Sequence, residues 1–284
     1  MSFSSNADAL VTSGLADFPG TLSARLVALC DRPPARSAPD GWEAGLGGLL
    51  ASTEPAGAEL TPVARKNPCA TYAHLNVTLS DGSEVRGRLI MPAGPCRPEG
   101  ALAPLVLMFH DAGRPVRGWH HMTRFVALGA GVLALDQGVV DPERAAEELP
   151  SLAVRALALS RAGLELPGID CSHVFAWGEG LGGALAVIVS AALGTWVERC
   201  AVCNPFPADT EALPAHLDPA LLATRISARL LVGCGLRDEQ ALPEAQAALA
   251  NAAAGPAQVV FYPEHAHERI NEFENEVLRF FRMD

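Results

Sequence analysis

The chain is poor in aromatic and charged residues, and the charge that it has is mostly acidic. Of its 284 residues, 6% are aromatic and 19% are charged, and 21 basic against 32 acidic residues give a net charge of −11. An acidic surface repels phosphate backbones and anionic lipids, and few rings are present to stack on bases. We therefore expect neither a nucleic acid nor a membrane surface as a partner.

Long hydrophobic runs and a secretory leader are also missing. Residues 180–197 carry no charge, but they begin in a glycine turn and contain Ser190 and Thr195, which predicts a buried helix and not a membrane span. Residues 1–14 have no basic start and no continuous apolar stretch, unlike a signal peptide. These features predict a cytoplasmic protein.

Cysteine and histidine lack the spacing of a metal site. Cys200 and Cys203 form one CxxC pair without a second pair, so a zinc site is weakly supported. No carboxylate is placed by spacing beside His120-His121 or beside His265 and His267. We expect reduced thiols in the core, no metal and no cofactor. The seven cysteines are Cys30, Cys69, Cys96, Cys171, Cys200, Cys203 and Cys234.

Two segments differ in texture. Residues 1–55 are rich in Ala, Gly, Pro and Ser and contain only two short helical candidates, so they are predicted to be an extension packed on the body. Residues 56–284 are predicted to form the main domain. Apolar residues make up 49% of the chain, which is enough for a full hydrophobic core.

The main domain alternates between strand and helix patterns after an opening hairpin that turns at Asp81-Gly82. Such alternation predicts an α/β fold with a mainly parallel sheet and helices on both faces. The predicted strands of the sheet are Tyr72–Ser80, Glu84–Met91, Pro104–Phe109, Gly131–Asp136, His173–Trp177, Cys200–Cys203, Arg229–Cys234 and Gln258–Tyr262.

Functional sites of open α/β sheets lie at the carboxyl ends of the strands. Residues 178–183, G-E-G-L-G-G, join a predicted strand to a predicted helix, which is the frame of a G-x-S-x-G nucleophile elbow with Gly180 in the nucleophile position. The same glycines also fit the dinucleotide fingerprint G-x-G-x-x-G. That alternative is weaker, because the motif does not lie in the first βα unit and no acid closes a strand about 20 residues later.

Two later strand ends carry an acid and then a histidine, the order found after the nucleophile in hydrolases of this kind. Asp238 follows the strand Arg229–Cys234, and His267 follows the last strand. Asp238 would orient the imidazole and stabilise its cation, and His267 would be the general base. Read alone, each would be an ordinary loop residue.

A polar stretch follows the first parallel strand and reads His110-Asp111-Ala112-Gly113. In hydrolases of this fold, that strand normally precedes the oxyanion loop. The backbone N–H groups of Ala112 and Leu181 would point at a developing oxyanion, and His110 would lie at the binding site. A glycine-ended loop without a ligand is the other interpretation.

These motifs together resemble the acetyl xylan esterase / cephalosporin C deacetylase family of α/β-hydrolases over about residues 40–284. The resemblance rests on residues 39–43 (P-D-G-W-E), on the hairpin of Val77 to Pro92, and above all on residues 262–268 (Y-P-E-H-A-H-E). It implies His267, and not His265, as the catalytic base and Asp238 as the acid. It also implies a small-molecule ester or an acetylated sugar as substrate.

Two departures from the family pattern affect function. Its R-G-Q is replaced by Asp136-Gln137-Gly138, and its G-x-S-Q-G lacks both the serine and the glutamine here. The insertion that the family carries after R-G-Q is also missing. Because that insertion helps to shape the family's oligomer, the resemblance implies a homo-oligomer here but not the family's ring assembly.

Without a hydroxyl at position 180, no acyl-enzyme can form there, and three hypotheses follow. The protein is a non-catalytic relative that binds a small acylated ligand or a protein partner. Alternatively, Gly180 replaces the serine of an ordinary ester hydrolase. As a third possibility, Asp238 and His267 activate a water in the vacated space and leave weak turnover.

Overall fold

The computed structural model describes residues 20–98, 100–114, 116 and 118–283 of the chain. Residues 1–14, for which the sequence predicts no signal peptide, lie outside the described residues. So does the first part of the predicted extension, up to residue 19.

A nine-stranded sheet forms the centre of the protein, in the order β1-β2-β3-β5-β4-β6-β7-β8-β9. The pairs β1–β2, β2–β3 and β3–β5 are antiparallel, and all other neighbouring pairs are parallel. The predicted mainly parallel sheet with an opening antiparallel hairpin is therefore confirmed, but the hairpin β2–β3 is not itself the edge, because β1 pairs outside β2. The strands are β1 (Pro55–Pro62), β2 (Ala70–Leu79), β3 (Glu84–Pro92), β4 (Ala103–Phe109), β5 (Gly131–Leu135), β6 (Ile169–Glu179), β7 (Arg199–Cys203), β8 (Arg229–Gly235) and β9 (Ala257–Tyr262).

Helices cover both faces of this sheet, as the strand-helix alternation predicts. The uncharged segment after residue 180 is a helix whose residues 181–191 are all buried, and Cys200 and Cys203 are buried in the core. The helices are α1 (Gly20–Cys30), α2 (Glu43–Ser52), α3 (Trp119–Ala127), α4 (Ala145–Leu164), α5 (Leu181–Leu193), α6 (Pro219–Leu222), α7 (Pro243–Ala252) and α8 (Asn271–Phe280).

Strand β4 shows why its sequence is apolar without alternation. Leu105 and Leu107 face one hydrophobic core, which α4 and α5 complete. Val106 and Met108 face a second core on the opposite side, together with α3 and α8. Because successive side chains of a strand point to opposite faces, a strand buried on both sides needs apolar residues at every position.

Strand β1 is an element that the sequence pattern does not predict. Its residues are mostly exposed, and it contains Pro55, Gly57 and Pro62. Proline and glycine weaken strands, and proline is tolerated at a sheet edge, where no further ladder hydrogen bond is needed. Only the pairing with β2 reveals this strand.

The described part of the N-terminal segment lies against the helices of the main body. Helix α1 contacts α7, and α2 contacts α4. Between them, Arg36 forms an ion pair of 2.7 Å with the fully buried Asp218. The division of the chain at residue 55 stays a prediction. Within the described residues, no helix has the length and apolar character needed to cross a membrane.

Candidate active site

The sharp turn between β6 and α5 has the backbone of a nucleophile elbow. Gly180 adopts φ 51° and ψ −121°, a left-handed conformation that costs a residue with a side chain about 1–3 kcal/mol and glycine much less. Its N–H donates to the carbonyl of Cys203 at 2.9 Å, and its own carbonyl accepts the N–H of Phe206 at 3.0 Å. The turn is therefore held in place by the loop after β7.

The flanking glycines of this elbow are required by close backbone approach. A Cβ at Gly178 would lie 2.0 Å from the carbonyl oxygen of Gly182. A Cβ at Gly182 would lie 2.3 Å from the carbonyl oxygen of Phe109. The two flanking glycines of the motif are therefore required because β6, α5 and the end of β4 approach too closely to admit a side chain.

Substituting Gly178→Ala should destabilise the fold, because backbone must move to admit the methyl group. We expect the free energy of unfolding to fall by about 1–3 kcal/mol or more, measured by urea denaturation. Gly47→Ala in α2 is the matched control, since no atom lies within 4 Å of its added Cβ. That change should be neutral or stabilise by about 0.5–1 kcal/mol. Equal effects of the two changes would contradict this account of the elbow.

Asp238 and His267 meet at the carboxyl end of the sheet, as the sequence order predicts they should. Nδ1 of His267 lies 2.8 Å from Oδ2 of Asp238. Oδ1 of Asp238 accepts the N–H groups of Gln240 at 2.9 Å and Ala241 at 2.7 Å. The Asp238 side chain has no exposed surface, so the loop after β8 fixes the carboxylate that orients the imidazole.

The loops that carry these two residues are tied to each other. Arg237 donates its backbone N–H to the carbonyl of His265 at 2.9 Å. The side-chain amide of Asn204 donates to the carbonyl of Ala266 at 3.1 Å, and its oxygen accepts the N–H of Gly235 at 2.9 Å. Asn204 is a positioning residue that the sequence analysis missed, because nothing local distinguishes it from other loop asparagines.

His265 occupies a different environment from His267. Its Nδ1 lies 3.0 Å from Oε1 of Glu268, and its ring meets that of Tyr262 edge-on. His267 instead faces Asp238 and meets the ring of Phe206 edge-on at a centroid distance of 6.3 Å.

The two predicted oxyanion donors are already engaged by a side chain. The backbone N–H groups of Ala112 and Leu181 donate to the same oxygen, Oδ1 of Asp111, at 2.7 and 3.1 Å. Oδ2 of Asp111 lies 3.3 Å from Nε2 of His267, within ion-pair distance but without hydrogen-bond alignment. A carboxylate therefore lies where a substrate's oxyanion would be expected.

Asp111 also fills the space next to the residue that lacks a side chain. A Cβ added at Gly180 would lie 1.7 Å from Oδ1 and 2.2 Å from Cγ of Asp111. The Asp111 side chain thus occupies space that a side chain at position 180 would need. Because the contact is with the end of that side chain and not with backbone, Asp111 must rotate away before position 180 can carry a serine.

Two carboxylates determine the charge of the site. Burial alone would lower the pKa of His267, but Asp111 and Asp238 outweigh it and raise that pKa to about 9. Burial likewise opposes ionisation of Asp111, but His267 and the N–H groups of Leu181 and Ala112 outweigh it and lower the pKa of the carboxyl group. At neutral pH the site therefore holds an imidazolium between two carboxylates.

The raised pKa of His267 should make stability fall with pH. Because the pKa in the fold, about 9, lies above the ordinary 6.5, this stabilisation is complete below about pH 6.5 and is lost as the pH rises through about 9. We expect the difference in unfolding free energy between the wild type and His267→Gln to shrink by up to about 3 kcal/mol between about pH 6 and pH 10. Urea denaturation across this range measures it. Parallel curves for the two proteins would contradict the charge assignment.

His110, the remaining predicted residue, is buried and lines a small cavity. Arg124 and Glu179 line the same cavity. The backbone carbonyl of His110 accepts the side-chain N–H of Gln137 at 2.9 Å, so Gln137 holds the loop that carries Asp111.

Asp111 is a second site residue whose role sequence reasoning missed, although residues 110–113 were singled out as a polar stretch. One signal pointed to it: an acidic side chain next to an oxyanion donor, in a chain whose elbow has an empty nucleophile position.

A cavity of about 410 Å³ lies beside the elbow, and Phe206, which contacts His267, lines it. Other lining residues include Pro205, Pro207 and Ala208 of the same loop and Leu242 at the start of α7. Among the residues that the structure describes, no group of three or more His, Cys, Asp or Glu side chains is arranged to hold a metal ion.

Comparison with known proteins supports the same fold. The sequence model of the acetyl xylan esterase (AXE1) family matches residues 208–284, which include Asp238 and His267. Acetyl xylan esterase 1 from Thermoanaerobacterium sp. JW/SL YS485 superposes with a TM-score of 0.77 at 18% identity, covering 93% of this chain and 98% of that one. The acetyl xylan esterase from Paenibacillus sp. R4 gives the same TM-score and identity, covering 93% and 99%.

A more distant similarity links the chain to a puromycin hydrolase, with a TM-score of 0.58 and 18% identity over 74% of this chain and 36% of the other. No curated protein matched the chain in a sequence search. The chain therefore has the α/β-hydrolase fold of the acetyl xylan esterases, and its residues 208–284 match the sequence model of that family.

Proposed function

We propose that this protein has the binding site of a small-molecule ester hydrolase but hydrolyses acetyl esters weakly or not at all. The observation that carries the proposal is the position of Asp111, whose Oδ1 takes both oxyanion N–H groups. An ester carbonyl needs those donors as negative charge develops on its oxygen. With no hydroxyl at Gly180 either, the site lacks both the nucleophile and a free oxyanion hole.

Gly180 and the Asp111 carboxylate fit together in this arrangement, which is in keeping with a natural glycine. If Gly180 had replaced the serine of an ordinary hydrolase, Asp111 would have to leave its place for the parent to work, because its Oδ1 lies 1.7 Å from a Cβ at that position. Activation of a water by His267 is also disfavoured near neutral pH. An imidazole with a pKa of about 9 is mostly protonated there and cannot accept a proton.

The substrate class follows from the resemblance. The chain shares its fold with two acetyl xylan esterases, and we propose an acetylated sugar or another small ester as the ligand of this site. The cavity beside Phe206 is within the size range of small-molecule sites. A non-catalytic protein that binds such a ligand, or a protein partner, is the corresponding alternative.

Release of acetate from p-nitrophenyl acetate and from acetylated xylose tests the proposal. We expect a kcat at least about 10³-fold below the roughly 10 s⁻¹ of a typical enzyme. His267→Gln is the control for background hydrolysis by the protein surface. A wild-type rate in the ordinary enzyme range that disappears in His267→Gln would overturn the proposal.

Location and assembly are proposed on separate grounds. We propose a cytoplasmic protein, supported by free thiols at Cys30, Cys69, Cys171, Cys200, Cys203 and Cys234.

The chain passes from the end of β5 at Leu135 to a short helical turn at Pro142 through a brief connection. This agrees with the absence of the family's insertion. We therefore propose that any homo-oligomer differs from the family's ring, which light scattering on the purified chain can test.

A further inference from the structure

We propose that Asp111 is itself a covalent nucleophile and that this site hydrolyses small haloalkanes. Oδ2 would attack a saturated carbon and displace a halide, and water would then release the alkyl group from Asp111. The inference rests on the proposed function in one respect, namely that the site forms no acyl-enzyme at Gly180. It concerns a different class of electrophile at the same place.

The carboxylate is positioned for this chemistry. Oδ1 of Asp111 accepts two backbone N–H groups, and Oδ2 faces His267 at 3.3 Å. If Oδ2 became alkylated, Oδ1 would be the carbonyl oxygen of the resulting ester and would already lie in the N–H pair. The same two donors would then stabilise negative charge on Oδ1 when water adds to Cγ.

The occupied oxyanion hole selects saturated carbon over acyl carbon. Attack on an acyl substrate would place a second developing oxyanion in the site, and the donors for it are taken by Oδ1. Displacement at a saturated carbon develops no oxyanion on the substrate. A halide also departs as a stable anion, so the first step requires no general acid.

The charges of the site fit a two-step cycle. In the first step the carbon–halogen bond breaks with its electron pair on the halide, while a bond forms between Oδ2 and carbon. The negative charge of Asp111 disappears in this step. Because Asp111 helps to keep His267 protonated, the imidazolium can now release its proton to solvent and become a base.

The second step returns the site to its starting state. Nε2 of His267 takes a proton from water as the water oxygen bonds to Cγ, and the Cγ–Oδ2 bond then breaks. The leaving alcohol takes that proton from His267, and the new carboxyl group of Asp111 gives its own proton to the imidazole. The sum is a haloalkane and water converted to an alcohol, a halide ion and one proton.

The surroundings suit a small apolar molecule. The side chain of Asp111 is 10% exposed and that of His267 16% exposed, so both are largely shielded from bulk water. Phe206 contacts the imidazole ring and lines the neighbouring cavity of about 410 Å³. Proline, alanine and leucine side chains contribute much of that lining, and the charged residues Arg32, Asp209 and Glu244 line it as well.

The test uses the full chain and 1-bromobutane as the probe. His267→Gln, which lacks the base for the second step, should accumulate one butyl group, and peptide mass spectrometry should place it on Asp111. The wild type should release bromide in repeated turnovers and, in ¹⁸O-labelled water, incorporate ¹⁸O into Asp111. Asp111→Asn should at first release no bromide and incorporate no ¹⁸O at residue 111. Asp141→Asn, an exposed change in a neighbouring loop, should behave as the wild type.

Several results would overturn the proposal. The proposal is wrong if His267→Gln forms no adduct, or if the adduct is found only on cysteine or histidine. It is also wrong if the wild type releases no bromide or incorporates no ¹⁸O into Asp111. If His267→Gln fails to fold, as judged by its thermal unfolding, the labelling of wild-type Asp111 alone decides. Rapid acetyl-ester hydrolysis would overturn the proposed function but not this inference, because the two assays use different substrates and different readouts.

Discussion

Serine introduced at position 180 on its own should leave the protein inactive on acetyl esters, whereas the double variant Gly180→Ser/Asp111→Ala should gain about 10²-fold or more in kcat/KM. The single variant places a Cβ 1.7 Å from Oδ1 of Asp111, so the new side chain and the carboxylate compete for one space. Removing the carboxylate frees the N–H groups of Ala112 and Leu181 for a substrate oxyanion. It also removes one of the two charges that keep His267 protonated.

Initial rates of p-nitrophenyl acetate hydrolysis measure this gain. Gly180→Ala/Asp111→Ala is the matched control, because it makes the same space but supplies no hydroxyl. Adding His267→Gln to the active double variant should abolish the gain, since the new serine needs a base. Full activity of the single Gly180→Ser variant would contradict our account of Asp111, and an inactive, folded double variant would show that the site lacks further parts of an esterase.

Replacement of Asp218 should give the largest loss of stability outside the core, about 3–5 kcal/mol for Asp218→Ala. Its side chain has no exposed surface and pairs with Arg36 at 2.7 Å. Its oxygens also accept the backbone N–H groups of Asp209, Thr210 and Ala220. Without the carboxylate, these donors and a largely buried guanidinium would lose their partner.

Urea denaturation measures this loss, and Asp141→Ala is its control. Asp141 also accepts one N–H at the start of a short helix, that of Glu143, but in an exposed position, so we expect a loss of only about 0.5–2 kcal/mol. Arg36→Ala and Asp218→Ala should be non-additive by about 1 kcal/mol or more, since the two residues touch. Additive effects would mean that the segment carrying Arg36 is not held to the body through Asp218.

The elements that local patterns determine were predictable. The apolar run of β4 and the uncharged α5 lie where the sequence predicts them. An element buried on both faces is apolar at nearly every position, and this composition is recognisable without knowledge of the fold. The order of Gly180, Asp238 and His267 along the chain was readable for a similar reason. Each follows a strand, and the carboxyl ends of parallel strands meet at one edge of the sheet.

Elements whose existence depends on a partner were not predictable. Strand β1 is exposed and contains two prolines, so its own residues do not favour a strand, and only its ladder with β2 makes it one. Asn204 acts through backbone groups of two other loops. No short-range pattern encodes contacts of this kind.

The sequence by itself determined a parallel α/β framework, a glycine elbow without a nucleophile, and an acid and a histidine at successive strand ends, because these features depend on local composition and chain order. Only the tertiary structure decided what fills the empty position. Asp111 and Leu181 are 70 residues apart in the chain and meet through a hydrogen bond of 3.1 Å. That contact depends on how β4 and β6 are paired, and it places a carboxylate between two N–H groups and an imidazolium, against the position that a Cβ at residue 180 would take.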